Sequence, residues 1–329
     1  MNIKTVIRAS VYYIFLIIFT YIYNLVTETF LIFDFLYEKI DVMEKNTFKN
    51  NVKYCYAHAI LLVLKLVGVT IHLDKEISSN RMIWISNHRS KLDGLIIQSL
   101  LYLNGCNNVA VVKKSISYIP IFGSYGENVD SVFIDRNSDT AKEILTKASI
   151  KCSQLNTSIL IFPEGATLSP SSKIRSDRFA LDNNINKLDS VLIPKTAGFD
   201  IIKANGQFTE IGELTIRYDN PSLPGFTEHS FLDLFEIFPT EVYFNVNHHE
   251  TDDFDLRQVF ETKNIILNEP LNKNNYSAKV KYSKLLVLAN VILFVGFNYF
   301  NWINVYFRYA SIALSVFSII RMLISNFCY

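Results

Sequence analysis

The chain has 329 residues, with 32 lysines and arginines against 31 aspartates and glutamates, for a formal net charge of +1. That balance gives no reason to propose nucleic-acid binding, and the length allows one large domain or two small ones. Half of the residues are apolar and mean hydropathy is +0.18, more than a wholly water-exposed domain carries; the excess is gathered at the two ends.

Residues 9–27 contain no charge, and Lys4 and Arg8 precede them. The run is close to the roughly 20 residues that cross a bilayer. It is too long for a leader, and no small-residue cleavage pattern follows, so it reads as a retained anchor. On this reading residues 1–45 are an N-terminal membrane anchor, 46–280 the central domain and 281–329 a C-terminal membrane segment. A second apolar stretch, 57–73, carries Lys65 in its middle and reads as an interfacial or buried helix. Between residues 75 and 265 short apolar runs alternate with longer mixed segments. Strands are predicted at 82–85, 109–112, 131–134, 158–162, 191–194, 214–218 and 242–246, and helices at 92–103 and 141–155. That alternation argues for an α/β sheet. Residues 285–307 again carry no charge and form a predicted span. Beyond Arg308 the chain stays apolar to Tyr329 except at Arg321, which fits a second crossing or a helix lying in the interface.

Cysteines at 55, 106, 152 and 328 show no metal or redox spacing and read as reduced thiols. His248 and His249, followed by Glu250, Asp252 and Asp253, suggest a metal site. Adjacent side chains diverge on any regular element, so a solvated loop is the expectation there.

The polar clusters with chemistry each follow an apolar run, which places them at the carboxyl ends of strands, where α/β sheets gather ligands. His88 and Asp93 are the first pair. On a continuous helix a five-residue separation corresponds to about 140° of rotation, so the two share no face. They meet only if His88 lies at or before the helix cap and its side chain folds back. Asp93 then fixes the ring tautomer and the other nitrogen takes a proton from an attacking hydroxyl. A capping His and a surface Asp fit the same spacing. Arg136, after 132–134, either grips a phosphate or pairs with Asp135 or Asp139. Glu164, in Phe162-Pro163-Glu164-Gly165, either holds a hydroxyl or orients a cation, with Gly165 allowing close backbone approach, or the four residues form an ordinary turn. Lys173, Arg175 and Arg178 either face an anionic headgroup or form a solvated face.

Taken in order, these segments resemble the lysophospholipid acyltransferase family. Asn87, His88 and Asp93 match its Asn-His-x4-Asp block, and Phe133, Ile134 and Arg136 its second. Phe162, Pro163, Glu164 and Gly165 match its Phe-Pro-Glu-Gly-Thr block, and Val191-Leu192-Ile193-Pro194 its fourth. Arg175-Ser176 with Phe179-Ala180, Pro194-Lys195-Thr196-Ala197-Gly198-Phe199, Glu213 to Tyr218 and Pro239 to Phe244 are similar to the 1-acylglycerol-3-phosphate and lysocardiolipin acyltransferase branch. The likeness covers residues 80–270. One departure is Ala166 in the family's Thr position, with Thr167 one place later; the stretch after Phe260 is also shorter than that branch's usual end.

The resemblance implies an α/β fold, a mixed sheet flanked by helices. It implies His88 as general base and Asp93 as its partner. Asn87, Arg136, Glu164, Gly165, Thr167, Lys173 and Arg175 are then the candidate acceptor-binding residues. It implies acyl-CoA as co-substrate, a lysophospholipid as acceptor, no metal or bound cofactor, and an integral membrane protein of the endoplasmic reticulum with a cytosol-facing site. A lipid hydrolase or CoA-independent transacylase would need a nucleophile; Ser86, Ser90 and Cys106 are available, none in a Gly-x-Ser-x-Gly elbow. A non-catalytic lipid-binding protein is the alternative of another class.

Overall fold

In the computed structural model, residues 3–37, 42–119, 122–135, 138–219 and 239–280 are described, with 287, 288, 290–292, 295 and 313 beyond them. Arg136, Cys328 and most of the predicted span at 285–307 lie outside these residues.

Two helices come first, α1 (Ile3–Tyr37) and α2 (Val42–Leu66). Residues 3–27 of α1 are long and apolar enough to cross a membrane. One face of α1, with Ala9, Tyr12, Leu16, Phe19 and Tyr23, joins Tyr56, Ile60, Val63 and Leu64 of α2 in the core. The opposite face exposes Ile3, Ile7, Val11, Ile14 and Ile17. Arg8 does more than flank the apolar run: its guanidinium donates to the carbonyls of Val67 at 2.5 Å, Gly68 at 3.1 Å and Pro239 at 2.8 Å. Those first two carbonyls follow the last turn of α2, where backbone acceptors lack helical partners. The stretch 57–73 divides, its first part completing α2 as a buried helix and its last four residues forming β1 (Thr70–Leu73).

Next come β2 (Ile83–Ser86), α3 (Asp93–Leu103), β3 (Asn108–Lys113), α4 (Phe122–Asn128), β4 (Val132–Ile134), α5 (Ala141–Gln154) and β5 (Ser158–Ile161). The chain continues through α6 (Pro170–Asp182), α7 (Thr196–Asn205), β6 (Glu210–Tyr218), β7 (Glu241–Glu250), α8 (Leu256–Asn268) and β8 (Ala278–Lys279). They build a mixed sheet in the order β4-β3-β5-β2-β6-β7-β1-β8. The first five of these run parallel; β7 is antiparallel to β6, β1 parallel to β7, and β8 antiparallel to β1.

The central strands are apolar on both sides because helices cover both faces. Trp84, Leu160, Leu214 and Ile216 pack under α1, α2 and α3, whereas Ile83, Ile85, Ile159 and Ile161 pack under α5, α7 and α8. Trp84 lies flat against its neighbouring strand: a Cβ on Gly212 would stand 2.3 Å from the indole. This parallel arrangement brings the carboxyl ends of β2, β5 and β6 to one edge.

Two expectations are corrected. Residues 191–194 do not join the sheet, because their amides bind elsewhere: Leu192 N–H donates to Glu164 at 3.1 Å and Ile193 N–H to Ser176 at 2.9 Å. His248, His249 and Glu250 sit in β7 rather than a solvated loop. His249 Nε2 meets Glu213 at 2.8 Å, and the other Glu213 oxygen meets the fully buried Lys263 ammonium at 2.9 Å. Lys263 also donates to Leu214 O and Thr215 Oγ1, each at 2.8 Å, so α8 is pinned to β6. Burial pushes the Glu213 carboxyl up, but Lys263 and His249 outweigh it and hold it at about 2. A carboxyl depressed in this way contributes stability that is fully present above the ordinary carboxylate range and is lost as pH falls toward 2. Lys263→Ala is expected to cost about 3–5 kcal/mol, because it strands a buried carboxylate. Denaturant unfolding at pH 7 checks this, and an unchanged midpoint would remove the pin.

Candidate active site

The loop from β2 to α3 turns back on itself. Asp93 opens α3, and its Oδ2 accepts the backbone N–H of Arg89 at 2.6 Å and of Ser90 at 2.8 Å. Those contacts curl residues 88–92 around the carboxylate and bring the His88 Nδ1 to within 2.9 Å of the same oxygen. The contact required before the cap is therefore made. Asp93 is completely buried and the His88 side chain is 21% exposed. Oδ2 already accepts two backbone N–H groups, so it faces Nδ1 as an acceptor too; Nδ1 then carries the proton and Nε2 is left with its lone pair. Phe162 stacks on the imidazole, with ring centroids 4.4 Å apart and planes 29° from parallel.

Glu164 and Asn87 act on this loop rather than away from it. Glu164 is 3% exposed. Its Oε1 accepts the His88 N–H at 2.9 Å and its Oε2 the Leu192 N–H at 3.1 Å. Burial pushes its carboxyl up to about 8, against the pull of those two donors. Asn87, fully buried, pairs its amide with Ile216 of β6, donating to the carbonyl at 3.0 Å and accepting the N–H at 2.8 Å. The resemblance makes both candidate substrate-binding side chains; the structure places both in bracing contacts behind His88. The backbone N–H groups of His88, Arg89 and Ser90 are thus all committed to carboxyl oxygens.

The loop after β5 completes the edge. Gly165 adopts a φ of 74°, a left-handed conformation that suits glycine, and its N–H closes a turn to Phe162 O at 3.0 Å. Leu168 N–H donates to His88 O at 2.7 Å. Thr167 gives its carbonyl to Ser172 Oγ at 2.7 Å. Ser169 caps α6 with a reciprocal Ser169–Ser172 box and Pro170 in the first turn. On α6, Lys173 pairs with Asp177 and lies 3.9 Å from Asp189, while Arg175 is exposed. Arg136 falls outside the described residues.

The nucleophiles a hydrolase would need are buried: Ser86 and Cys106 completely and Ser90 to 2% exposure. Burial also raises the Cys106 thiol, which disfavours its thiolate.

Tyr218, at the end of β6, is absent from the sequence candidates; its hydroxyl donates to Asp93 Oδ1. No local signal marks it, because 125 residues separate the partners.

An imidazole oriented by a buried carboxylate at the carboxyl edge of an α/β sheet has the geometry that proton transfer from a hydroxyl requires. Residues 68–198 match the Acyltransferase family model, in line with the family that the ordered sequence blocks resemble. Lysocardiolipin acyltransferase 1 of Mus musculus is 28% identical over 202 residues, 59% of this chain and 53% of that protein. The 1-acyl-sn-glycerol-3-phosphate acyltransferase 2 of Brassica napus is 24% identical over 319 residues, 86% of this chain and 80% of that one. The crystal structure of the 1-acyl-sn-glycerophosphate acyltransferase of Thermotoga maritima covers 77% of this chain and 91% of its own, with 13% identity and a TM-score of 0.49. The chain spans about half the length of the lysocardiolipin acyltransferases it matches.

Proposed function

We propose that this protein is a membrane-bound O-acyltransferase that moves a fatty acyl group from acyl-CoA to the free hydroxyl of a lysophospholipid. The observation that carries the reading is the His88 Nδ1–Asp93 contact of 2.9 Å at the carboxyl edge of the sheet. In the reaction, Nε2 of His88 removes the hydroxyl proton as the oxygen attacks the thioester carbonyl. Asp93 holds the ring and stabilises the imidazolium that forms. The tetrahedral intermediate collapses, the C–S bond breaks, and the imidazolium returns the proton to the departing CoA thiolate. The relatives named for lysocardiolipin and 1-acylglycerol-3-phosphate point to a glycerophosphate acceptor. Arg136 and Arg175 are our candidates for its phosphate. The exposed apolar stripe of α1 supplies membrane attachment in this reading, at the endoplasmic reticulum with the site toward cytosolic acyl-CoA.

The test uses membranes from cells expressing the wild type or His88→Ala, with labelled acyl-CoA and a panel of lysophospholipids. Diacyl product that depends on His88 and pellets with membranes supports the proposal and names the acceptor. CoA release without diacyl lipid would make it a thioesterase, and no turnover with any acceptor would favour lipid binding without chemistry.

A further inference from the structure

The two oxygens of Asp93 are loaded unequally. Oδ2 holds His88 Nδ1 and the amides of Arg89 and Ser90, all supplied by its own loop. Oδ1 receives the Tyr218 hydroxyl, from a different element. That hydroxyl is buried, and burial together with the Asp93 charge raises it far above the usual phenol range, so it stays protonated and donates. The strand bearing it is held on both sides. Ile216 pairs with the Asn87 amide, and Lys263 of α8 grips Leu214 and Thr215. Strand β6 thus fixes the His88 loop at two points two residues apart, one ahead of His88 and one behind Asp93.

Resting on the reading of His88 as general base, we propose that Tyr218 is a positioning residue, which locks the plane of the Asp93 carboxylate and withdraws charge from the oxygen that faces His88. A donor on Oδ1 polarises the carboxylate away from Oδ2. It thereby limits how strongly Asp93 holds the imidazolium, so that the ring releases its proton to the leaving group. The other charged groups around the pair are Arg89 on the same loop, Glu164 from the loop after β5, and Arg217 on β6. None of them is placed on Oδ1.

Tyr218→Phe in the full chain keeps the ring and removes only the donor. The expected result is a fall in kcat of roughly three- to ten-fold, the net worth of one typical hydrogen bond, with KM for both substrates within two-fold. The acid limb of the pH–rate profile moves to higher pH, because more charge returns to Oδ2 and the imidazolium is held longer. A second readout needs no turnover: the downfield proton resonance of the ring N–H shared with Asp93, identified by its loss in His88→Ala, is displaced in Tyr218→Phe. An unmoved acid limb and an undisplaced resonance overturn the proposal, even if kcat and melting temperature both fall, since that pattern marks packing alone. If His88→Ala keeps wild-type activity, the general-base reading fails and the Tyr218 role falls with it. If His88→Ala is inactive and Tyr218→Phe matches wild type in every readout, only the Tyr218 role fails.

Discussion

His88→Ala is expected to lower acyl transfer by roughly 10²- to 10⁴-fold, the range for a positioned general base, with the fold intact. The second half of that expectation follows from the hydrogen bonds around Asp93. Removing the imidazole takes away one partner of Oδ2, but the Arg89 and Ser90 amides and the Tyr218 hydroxyl remain. The carboxylate is therefore not orphaned in the interior. The Glu164 and Asn87 side chains both bind backbone groups, of His88 and of Ile216, so neither depends on the ring. Phe162 loses its stacking partner, at a site that is already partly open to solvent. Steady-state kinetics and thermal melting on the same preparation check both halves. The loss should fall on kcat, because the base acts in the transition state and contributes little to ground-state binding. A variant that melts normally and transfers acyl groups at wild-type rate would take the base assignment away from His88.

How much of this site was legible before the structure depends on distance along the chain. His88 and Asp93 are five residues apart, and the rule that they meet only through a folded-back loop is local geometry. The strands were legible for a similar reason: short apolar runs that end at polar residues suit strands covered on both faces. The contacts of Glu164 were not legible. From sequence it is a carboxylate after a strand, ready for a ligand; its partners are backbone amides at His88 and Leu192, which only the fold brings beside it. Asn87 and Tyr218 share this difficulty, since both act across to or from β6, more than a hundred residues away. Residues 191–194 carry the composition of a strand, yet their amides serve Glu164 and Ser176 in place of a ladder. Composition reports what a segment buries, and the partner of its backbone is decided elsewhere in the chain. The same applies to α1, whose hydropathy alone reads as a lone span, while one of its faces is packed on α2.

Asp93→Asn separates what the carboxylate does by its shape from what it does by its charge. An asparagine here has one orientation that keeps the loop's own donors satisfied. With its oxygen in the Oδ2 position it still accepts from the Arg89 and Ser90 amides and from His88 Nδ1, and its NH₂ turns toward the Tyr218 oxygen, which rotates its proton away and accepts. The reverse orientation points an NH₂ at two N–H groups and is excluded. The loop should keep its form, and the melting temperature should change little. What disappears is the buried negative charge beside the imidazolium, and in a site of low polarity that charge is worth several kcal/mol. Turnover is therefore expected to fall roughly 10²- to 10³-fold, with one pKa unit of lost stabilisation corresponding to about a factor of ten. Because the ring is less able to hold a proton, the acid limb of the rate profile moves to lower pH, opposite to its movement in Tyr218→Phe. Asp93→Ala gives the contrast: it strands two backbone amides and a phenol in the interior, each at a cost of about 1–3 kcal/mol, and should lose stability as well as activity. Melting curves for the Asn and Ala variants, set beside their pH–rate profiles, distinguish the two roles. Equal stability losses in both would mean that the asparagine does not adopt the satisfied orientation, and that the charge of Asp93 holds the loop as well as the imidazolium.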